Sequence, residues 1–281
     1  MSMAHPEPMQ ISLSLIHHHD QQRLQAARPA VQALAAALTD AGADCTCSEV
    51  TEQASVDARP FTVLDLLLQR IHLIALGIRW RRHCGATWGS QLYFLPFGVT
   101  ALLGDLLRPT RRAAALRRAF IERAIRHKHE QAWRGCLAMS AQWCLVCEDD
   151  IQVRSNATEL AGRLASAPWQ GALSDLLVLS GSCEPADLEL SRMPHHRTAG
   201  GWLYRGYVTN GMVCYALHRR LLTGILAQID RHPRARRLPA DWLMNWCLLR
   251  LDPNRTAQTY VADPEVVVHG SRDGTFPSLF D

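Results

Sequence analysis

Residues 143–150 read Trp-Cys-Leu-Val-Cys-Glu-Asp-Asp, an apolar run that breaks without transition into three carboxylates. Five consecutive apolar residues without polar alternation suit a strand covered on both faces, as in a parallel sheet packed between helices. Three adjacent carboxylates repel one another and resist burial, so the strand has to end where something compensates them. In an open α/β sheet, the crevice beyond the carboxyl ends of the strands is where ligands sit.

The rest of the chain fits that class. Met9–Ile16 reads as an opening strand, followed by a helix over 21–38 and a polar loop to about Pro60. Residues 61–83 read as a helix, and Trp88 to Pro109, rich in Gly and apolar residues, has no clear period. A helix from Thr110 to about Ser140 has Thr110 as its cap and Leu116, Phe120 and Ala124 as its apolar stripe. Further strands are expected at Trp143–Cys147, Leu176–Leu179, Tyr207–Leu217 and Val266–Val268, with helices over 219–229 and 241–251. The polar stretch from Gly181 to Gly201 reads as a long loop of the kind that carries function. Apolar strands alternating with helices predict an α/β fold whose sheet is mainly parallel and flanked by helices.

Composition closes off other classes. With 48% hydrophobic and 20% charged residues over 281 positions, the chain is neither disordered nor too short for a large core. Its 17 Gly and 14 Pro are aperiodic, which excludes collagen-like architecture. The net charge of +4 permits an acidic partner without demanding one, and no nucleic acid is expected. The base is nearly all arginine, a bias attributed to composition, and Lys128 is the only lysine.

Nine scattered cysteines do not make a secreted disulfide scaffold, so reduced thiols and a cytoplasmic location are expected, with peripheral contact to the inner membrane left open. Cys144 and Cys147 have zinc-knuckle spacing, but residues three apart on a strand point to opposite faces. Cys45 and Cys47 share a face yet lack a second pair nearby. No signal peptide is evident. The greasy stretch 61–78 is broken by Asp65, Gln69, Arg70 and His72, and 92–107 by Pro96, Gly98, Gly104 and Asp105.

Three constellations could carry chemistry. Glu148 and Asp150, two apart, would point the same way and could hold Mg²⁺ or Mn²⁺ against a diphosphate; the alternative is a solvated acidic turn. The run Val266-Val267-Val268 ends in His269-Gly270-Ser271, where the imidazole could complete a carboxylate metal site, bind phosphate, or simply cap a turn. Asp241 sits where an N-cap belongs and, beside Trp242, could alternatively serve as a general base facing a sugar. Trp202, Trp242 and Trp246 could stack on sugar rings or pack in the core. The arginines of 108–128, with Glu122 as the one acid, form either a solvated face or a surface for an anionic membrane or acidic acceptor. His17-His18-His19 alternate in direction and make a poor chelate. No Walker or dinucleotide glycine pattern occurs, and Ser180-Gly181-Ser182 lacks a nucleophile elbow.

Taken in order, these signals resemble the glycosyltransferase family 25 type of lipopolysaccharide-biosynthesis enzymes. Leu145-Val146-Cys147-Glu148-Asp149-Asp150 matches that family's apolar strand ending in Glu-Asp-Asp. His129 and Trp133 match an upstream His with an aromatic four residues later, with Lys128 in place of the usual serine. Tyr207-Val208-Thr209 matches a downstream strand, Asp241 the acidic residue at a helix start, and Ser14-Leu15 with Arg23 echo the opening motif. The likeness runs over residues 9 to 275 as scattered motifs.

The resemblance implies one GT-A type domain over 1–281, with 9–155 the nucleotide-sugar-binding half and 156–281 the acceptor half. It implies a metal-dependent, inverting hexosyltransferase that uses a nucleotide sugar, a UDP-sugar, and a saccharide or glycoconjugate acceptor. Asp150, Glu148 and His269 would hold Mn²⁺ or Mg²⁺; Asp149, His129, Ser14 and Ser271 would meet the donor. Asp241 would be the base, with Trp242 and Asn210 at the acceptor. Two other functions fit the same residues: a nucleotidyl- or phosphotransferase using the acidic cluster, or a non-catalytic domain docking through its arginine helix.

Overall fold

The computed structural model describes residues 8–18, 20–51, 61–83, 88–169, 174–181, 202–203, 212–251, 259–262 and 265–271. The elements are β1 (Met9–Ile16), α1 (Gln21–Asp40), β2 (Ala43–Val50), α2 (Val63–His83), α3 (Trp88–Leu107), α4 (Pro109–Ala138), β3 (Trp143–Glu148) and β4 (Ile151–Gln152). They continue with α5 (Ala157–Ala165), β5 (Leu176–Gly181), β6 (Trp202–Leu203), β7 (Met212–His218), α6 (Arg219–Arg231), α7 (Ala240–Leu251), β8 (Thr259–Ala262) and β9 (Val268–His269).

Seven strands form one sheet in the order β2-β1-β3-β7-β5-β8-β6, and β4 pairs with β9 in a separate two-stranded ribbon. Within the large sheet β1, β2, β3, β5 and β8 run one way, while β7 and β6 run against them. The fold is therefore α/β with a mainly parallel mixed sheet flanked by helices, as the apolar strand pattern requires.

The sheet separates two cores. On one face α1 and α5 bring Leu24, Leu34, Leu38, Leu160 and Leu164 against Ile11, Leu13, Leu145 and Cys147. On the other, α4, α6 and α7 bring Trp133, Cys136, Ile225, Leu243 and Cys247 against Cys144, Val146 and Tyr215. Cys144 and Cys147 thus lie in opposite cores, as the two-residue strand period demands. Cys147 Sγ instead sits 3.4 Å from Cys214 Sγ on the neighbouring strand.

Local chemistry sets the element ends. The Asp20 carboxylate accepts from the backbone N–H of Gln22 at 2.9 Å and of Arg23 at 3.2 Å, starting α1. Gly42, at φ +87°, ends the turn after α1 with its N–H on the Thr39 carbonyl at 2.9 Å, a conformation glycine adopts without strain.

Several expectations are corrected. The loop expected up to Pro60 contains β2, an edge strand whose Asp44, Thr46 and Cys47 are exposed, so it shows no buried period. The unread stretch after Trp88 is α3, which passes through Pro96 and accommodates Gly98 where a Cβ would lie 2.8 Å from Ile74 of α2. Helix α4 begins with Pro109, and Arg108, not Thr110, holds the cap position without a side-chain bond. Its stripe is also displaced: Phe120 is 46% exposed, while the small residues Ala115 and Ala119 are what face Leu66 of α2. Val266 and Val267 are buried without joining a strand, and β9 starts at Val268. The expected loop over 182–201 and the segment 204–211 lie outside the described residues. Among the described residues no helix is long and apolar enough to cross a membrane.

One topological consequence bears on function. From β1 the chain passes through α1 to β2 on one side, then returns through α2, α3 and α4 to β3 on the other. The carboxyl ends of β1 and β3 therefore lie side by side while the connections leave in opposite directions, which opens a crevice there.

Leu145, fully buried in β3, should cost about 2–5 kcal/mol on truncation to Ala. Phe120→Ala should cost less than about 1 kcal/mol, since the ring is half-exposed and contacts Arg123 at its face. Urea denaturation midpoints of the two variants measure the contrast.

Candidate functional site

Ile16 stands opposite Glu148 in the β1–β3 register, so His17 and His18 leave the sheet beside Glu148, Asp149 and Asp150. The three acids then part company. Glu148 continues the face of Cys144 and Val146, towards α4, whereas Asp149 turns towards α1.

Asp149 is buried and satisfied by protein: its Oδ2 accepts the His18 N–H at 2.8 Å, and Oδ1 lies 3.7 Å from Arg23 Nη1. Its expected meeting with a donor would therefore compete with bonds that tie β3 to the start of α1.

Glu148 Oε1 lies 3.1 Å from His129 Nε2, and His129 Nδ1 lies 2.7 Å from the Tyr215 hydroxyl, which also accepts from Trp133 Nε1 at 2.8 Å. The indole can only donate, so the phenol oxygen accepts and its own proton goes to His129 Nδ1. That fixes the tautomer of the neutral imidazole: the remaining proton is on Nε2 and points at Glu148. Burial, helped by the charge of Lys128, holds His129 down to about 3, which keeps the ring neutral. His129 is fully buried, so its action on any ligand runs through Glu148. Burial and the neighbouring Asp150 push Glu148 up to about 8.

Asp150 is fastened from the C-terminal side. The β4–β9 ribbon pairs Ile151 with His269, and the Gly270 N–H reaches the Asp150 carbonyl at 2.6 Å. This delivers Ser271 Oγ and His269 Nε2 to Asp150 Oδ2, each at 2.8 Å. Burial pushes the Asp150 carboxyl up, and the His269 and Ser271 hydrogen bonds outweigh it, leaving it below the usual range. Its other oxygen, Oδ1, is buried without a hydrogen-bond partner.

Lys128 completes the group. Its side chain is 1% exposed, and Nζ donates to the His17 carbonyl at 3.2 Å and to His18 Nδ1 at 3.0 Å. A buried ammonium needs nearby negative charge, and Lys128 acts electrostatically on Glu148, drawing it down against burial. Sequence reasoning noted Lys128 as the one lysine and as the residue in place of a serine but gave it no part in the site, although a lone lysine in a chain that otherwise uses arginine is itself a signal. A compact ammonium fits between a carbonyl and an imidazole where a planar guanidinium would not. Tyr215, inside an ordinary apolar strand, carried no such signal.

The remaining candidates are placed as follows. Asp241 is in the first turn of α7, one residue beyond the helix start, and its Oδ1 accepts the Trp242 N–H at 2.7 Å. Helix α7 packs in the same core as α4, on the same side of the sheet as His129, and the Asp241 charge raises the His129 pKa against burial. Trp242 is half-buried against the α4–α6–α7 core. Trp246 is core, with its ring 5.5 Å edge-on from His232 and the Arg250 guanidinium 4.7 Å over it. Ser14 is buried, and its hydroxyl is 3.0 Å from that of Ser48 between β1 and β2. His19, Asn210, Tyr207-Val208-Thr209 and the side chain of Trp202 lie outside the described residues.

Among the described residues no group of three or more His, Cys, Asp or Glu side chains is placed to hold a metal ion unaided. His269 Nε2 is committed to Asp150, and the oxygen donors available beside it are Asp150 Oδ1 and Glu148.

No protein-family model matches the chain, and no curated protein matches it.

Two outcomes follow from this network. Glu148 binds its proton more tightly when folded, so its contribution to stability is lost as pH rises from about 4.5 to about 8. His129 works in the opposite direction, but only between about 3 and 6.5. Between pH 6.5 and 8, wild type should therefore lose stability relative to Glu148→Gln, read as the difference in denaturation midpoints. Tyr215→Phe strands Trp133 Nε1 and breaks the link to His129; the same measurement should show a loss of about 1–3 kcal/mol.

Proposed function

We propose that the chain is a metal-dependent glycosyltransferase of GT-A type, transferring a sugar from a UDP-sugar to a saccharide or glycoconjugate acceptor with inversion. The observation that carries this reading is Asp150 Oδ1, a buried carboxylate oxygen without a partner in the crevice beyond β1 and β3. Leaving such an oxygen unmet costs about 1–3 kcal/mol or more, which a ligand can return. A site with one or two free carboxylates suits a divalent cation that arrives with substrate phosphates, because such ions commonly complete their shell with phosphate and water. Mn²⁺ or Mg²⁺ held by Asp150 and Glu148 would neutralise the departing diphosphate.

The protein's own groups have distinct tasks. His269 and Ser271 hold Asp150 Oδ2 and leave Oδ1 for a ligand, and His129, set by Tyr215 and Trp133, holds Glu148. Asp149 joins the β3 turn to His18 and Arg23 and keeps the acids in register. Asp241, on the α7 side, takes the proton of the acceptor hydroxyl as that oxygen attacks the sugar. Trp242 beside it supplies an apolar surface to the acceptor ring.

Thermal-shift measurements with UDP, GDP, CMP and ATP, each with and without Mn²⁺, test the donor site. UDP should stabilise wild type only with the metal, and Asp150→Ala should lose the effect. Stabilisation by ATP alone among the nucleotides would favour the nucleotidyl- or phosphotransferase reading, and no binding by any nucleotide would sink the donor site. Asp241→Asn should still bind UDP while turnover falls at least about 100-fold, and full activity in that variant would overturn the assignment of the base.

A further inference from the structure

A second charged cavity lies away from the acids. Helices α2, α3 and α4 form a half-open cavity of about 330 Å³ lined by Arg70, Asp105, Arg111, Arg117, Arg118 and Ile121. Arg118 and Lys128 are ten residues apart on α4, about 15 Å along its axis, so this cavity is separate from the β1–β3 crevice.

Four guanidinium groups share the cavity with one carboxylate. Arg70 Nη2 pairs with Asp105 Oδ2 at 3.0 Å, but Arg70 Nε is buried without a hydrogen-bond partner. Among the described residues neither Arg111 nor Arg117 is paired with a carboxylate. Glu122, which feels both Arg70 and Arg118, is pushed up to about 7 by burial and is at most a partial counter-charge. The packing also brings a donor close to α3. At Gly104 a Cβ would stand 2.9 Å from Arg111 Nη1, so the absent side chain leaves room for that guanidinium. Exposed guanidinium groups gathered in this way are screened by water but still favour an anion between them, and they match phosphate oxygens in geometry.

We propose that this cavity binds a phosphate or diphosphate group, with Arg111 and Arg117 as its principal donors and the half-buried Arg70, already held by Asp105, behind them. The same chemistry is offered by a soluble phosphate and by the headgroup of an anionic lipid. α3 leaves Val99, Leu103 and Leu107 exposed at 40%, 49% and 75%, an apolar surface beside the arginines that a lipid-borne phosphate would bring into contact. The proposal does not rest on the glycosyltransferase reading.

The test uses the full chain in metal-free buffer with EDTA at constant ionic strength. Calorimetry with pyrophosphate and co-sedimentation with phosphatidic acid–phosphatidylcholine vesicles, against phosphatidylcholine alone, form the two arms. The comparison is wild type, Asp150→Ala and the double variant Arg111→Gln with Arg117→Gln. Wild type and Asp150→Ala should bind alike, and the double variant should bind at least about tenfold more weakly with an unchanged thermal midpoint. Pyrophosphate binding without vesicle binding assigns a soluble phosphate, and sedimentation only with phosphatidic acid assigns a headgroup. Failure in both arms overturns the proposal, as does undiminished binding by the double variant or loss of binding in Asp150→Ala. If the double variant does not fold, Arg117→Gln alone, at an exposed position, should show the weakening, and unchanged affinity there overturns the proposal equally.

Discussion

The carboxylates of Glu148, Asp149 and Asp150 leave a strand sealed on both faces, and much of the neighbouring structure answers the cost of holding them there. Charges at the rim of a low-dielectric core must be paired, hydrogen-bonded or neutralised. Each acid meets that requirement differently. Asp149 is tied to the start of α1 through His18 and Arg23, Glu148 is held by His129 and remains easily protonated, and Asp150 has one oxygen bonded and one bare. Three chemically similar residues thus have three environments within one turn of chain.

The compensation draws on distant parts of the sequence. Lys128 and His129 come from α4, Tyr215 from the antiparallel strand β7, and His269 and Ser271 from the last described segment. The β4–β9 ribbon is short, yet it fixes the register that puts His269 and Ser271 on Asp150. The reversed strand β7 has a comparable role. By pairing with β3 it sets Tyr215 opposite Val146, within reach of the imidazole and indole carried by one face of α4. Orientation of the carboxylates is therefore a property of sheet order, since α4 and β7 meet only because both pack beside β3.

Helix α4 links the two charged regions. Its first half carries exposed arginines over Ala115 and Ala119, and its second half buries Arg126, Lys128, His129 and Glu130. Glu130 is tied to Arg126, Arg134 and Arg236, and those hydrogen bonds outweigh burial and hold its carboxyl down to about 2. A helix that presents polar groups to the core is stable only when each is matched across the interface, so α4 is held in place by specific partners as well as by apolar contact.

What could be read directly were features encoded in short windows. The strand Trp143–Glu148, the helices from Gln21 and Arg219, and the acidic turn announce themselves through apolar runs, periodicity and abrupt polarity, because local chain geometry and burial set those patterns. β2 and α3 did not, since one is a polar edge strand and the other contains Pro96, Gly98 and Gly104, whose tolerance depends on the neighbours α3 meets. Phe120 misled because an apolar side chain at the right spacing need not face the core when alanines pack the helices closer. The sequence alone determined that three carboxylates would stand at the end of a doubly covered strand and that His269 and Ser271 would follow another apolar run. Only the tertiary structure decided that those residues meet at Asp150, that Lys128 and Tyr215 belong to the same network, and that one oxygen of Asp150 is left bare. Partnership across 82 to 121 residues of chain depends on strand order and register, which no local pattern specifies.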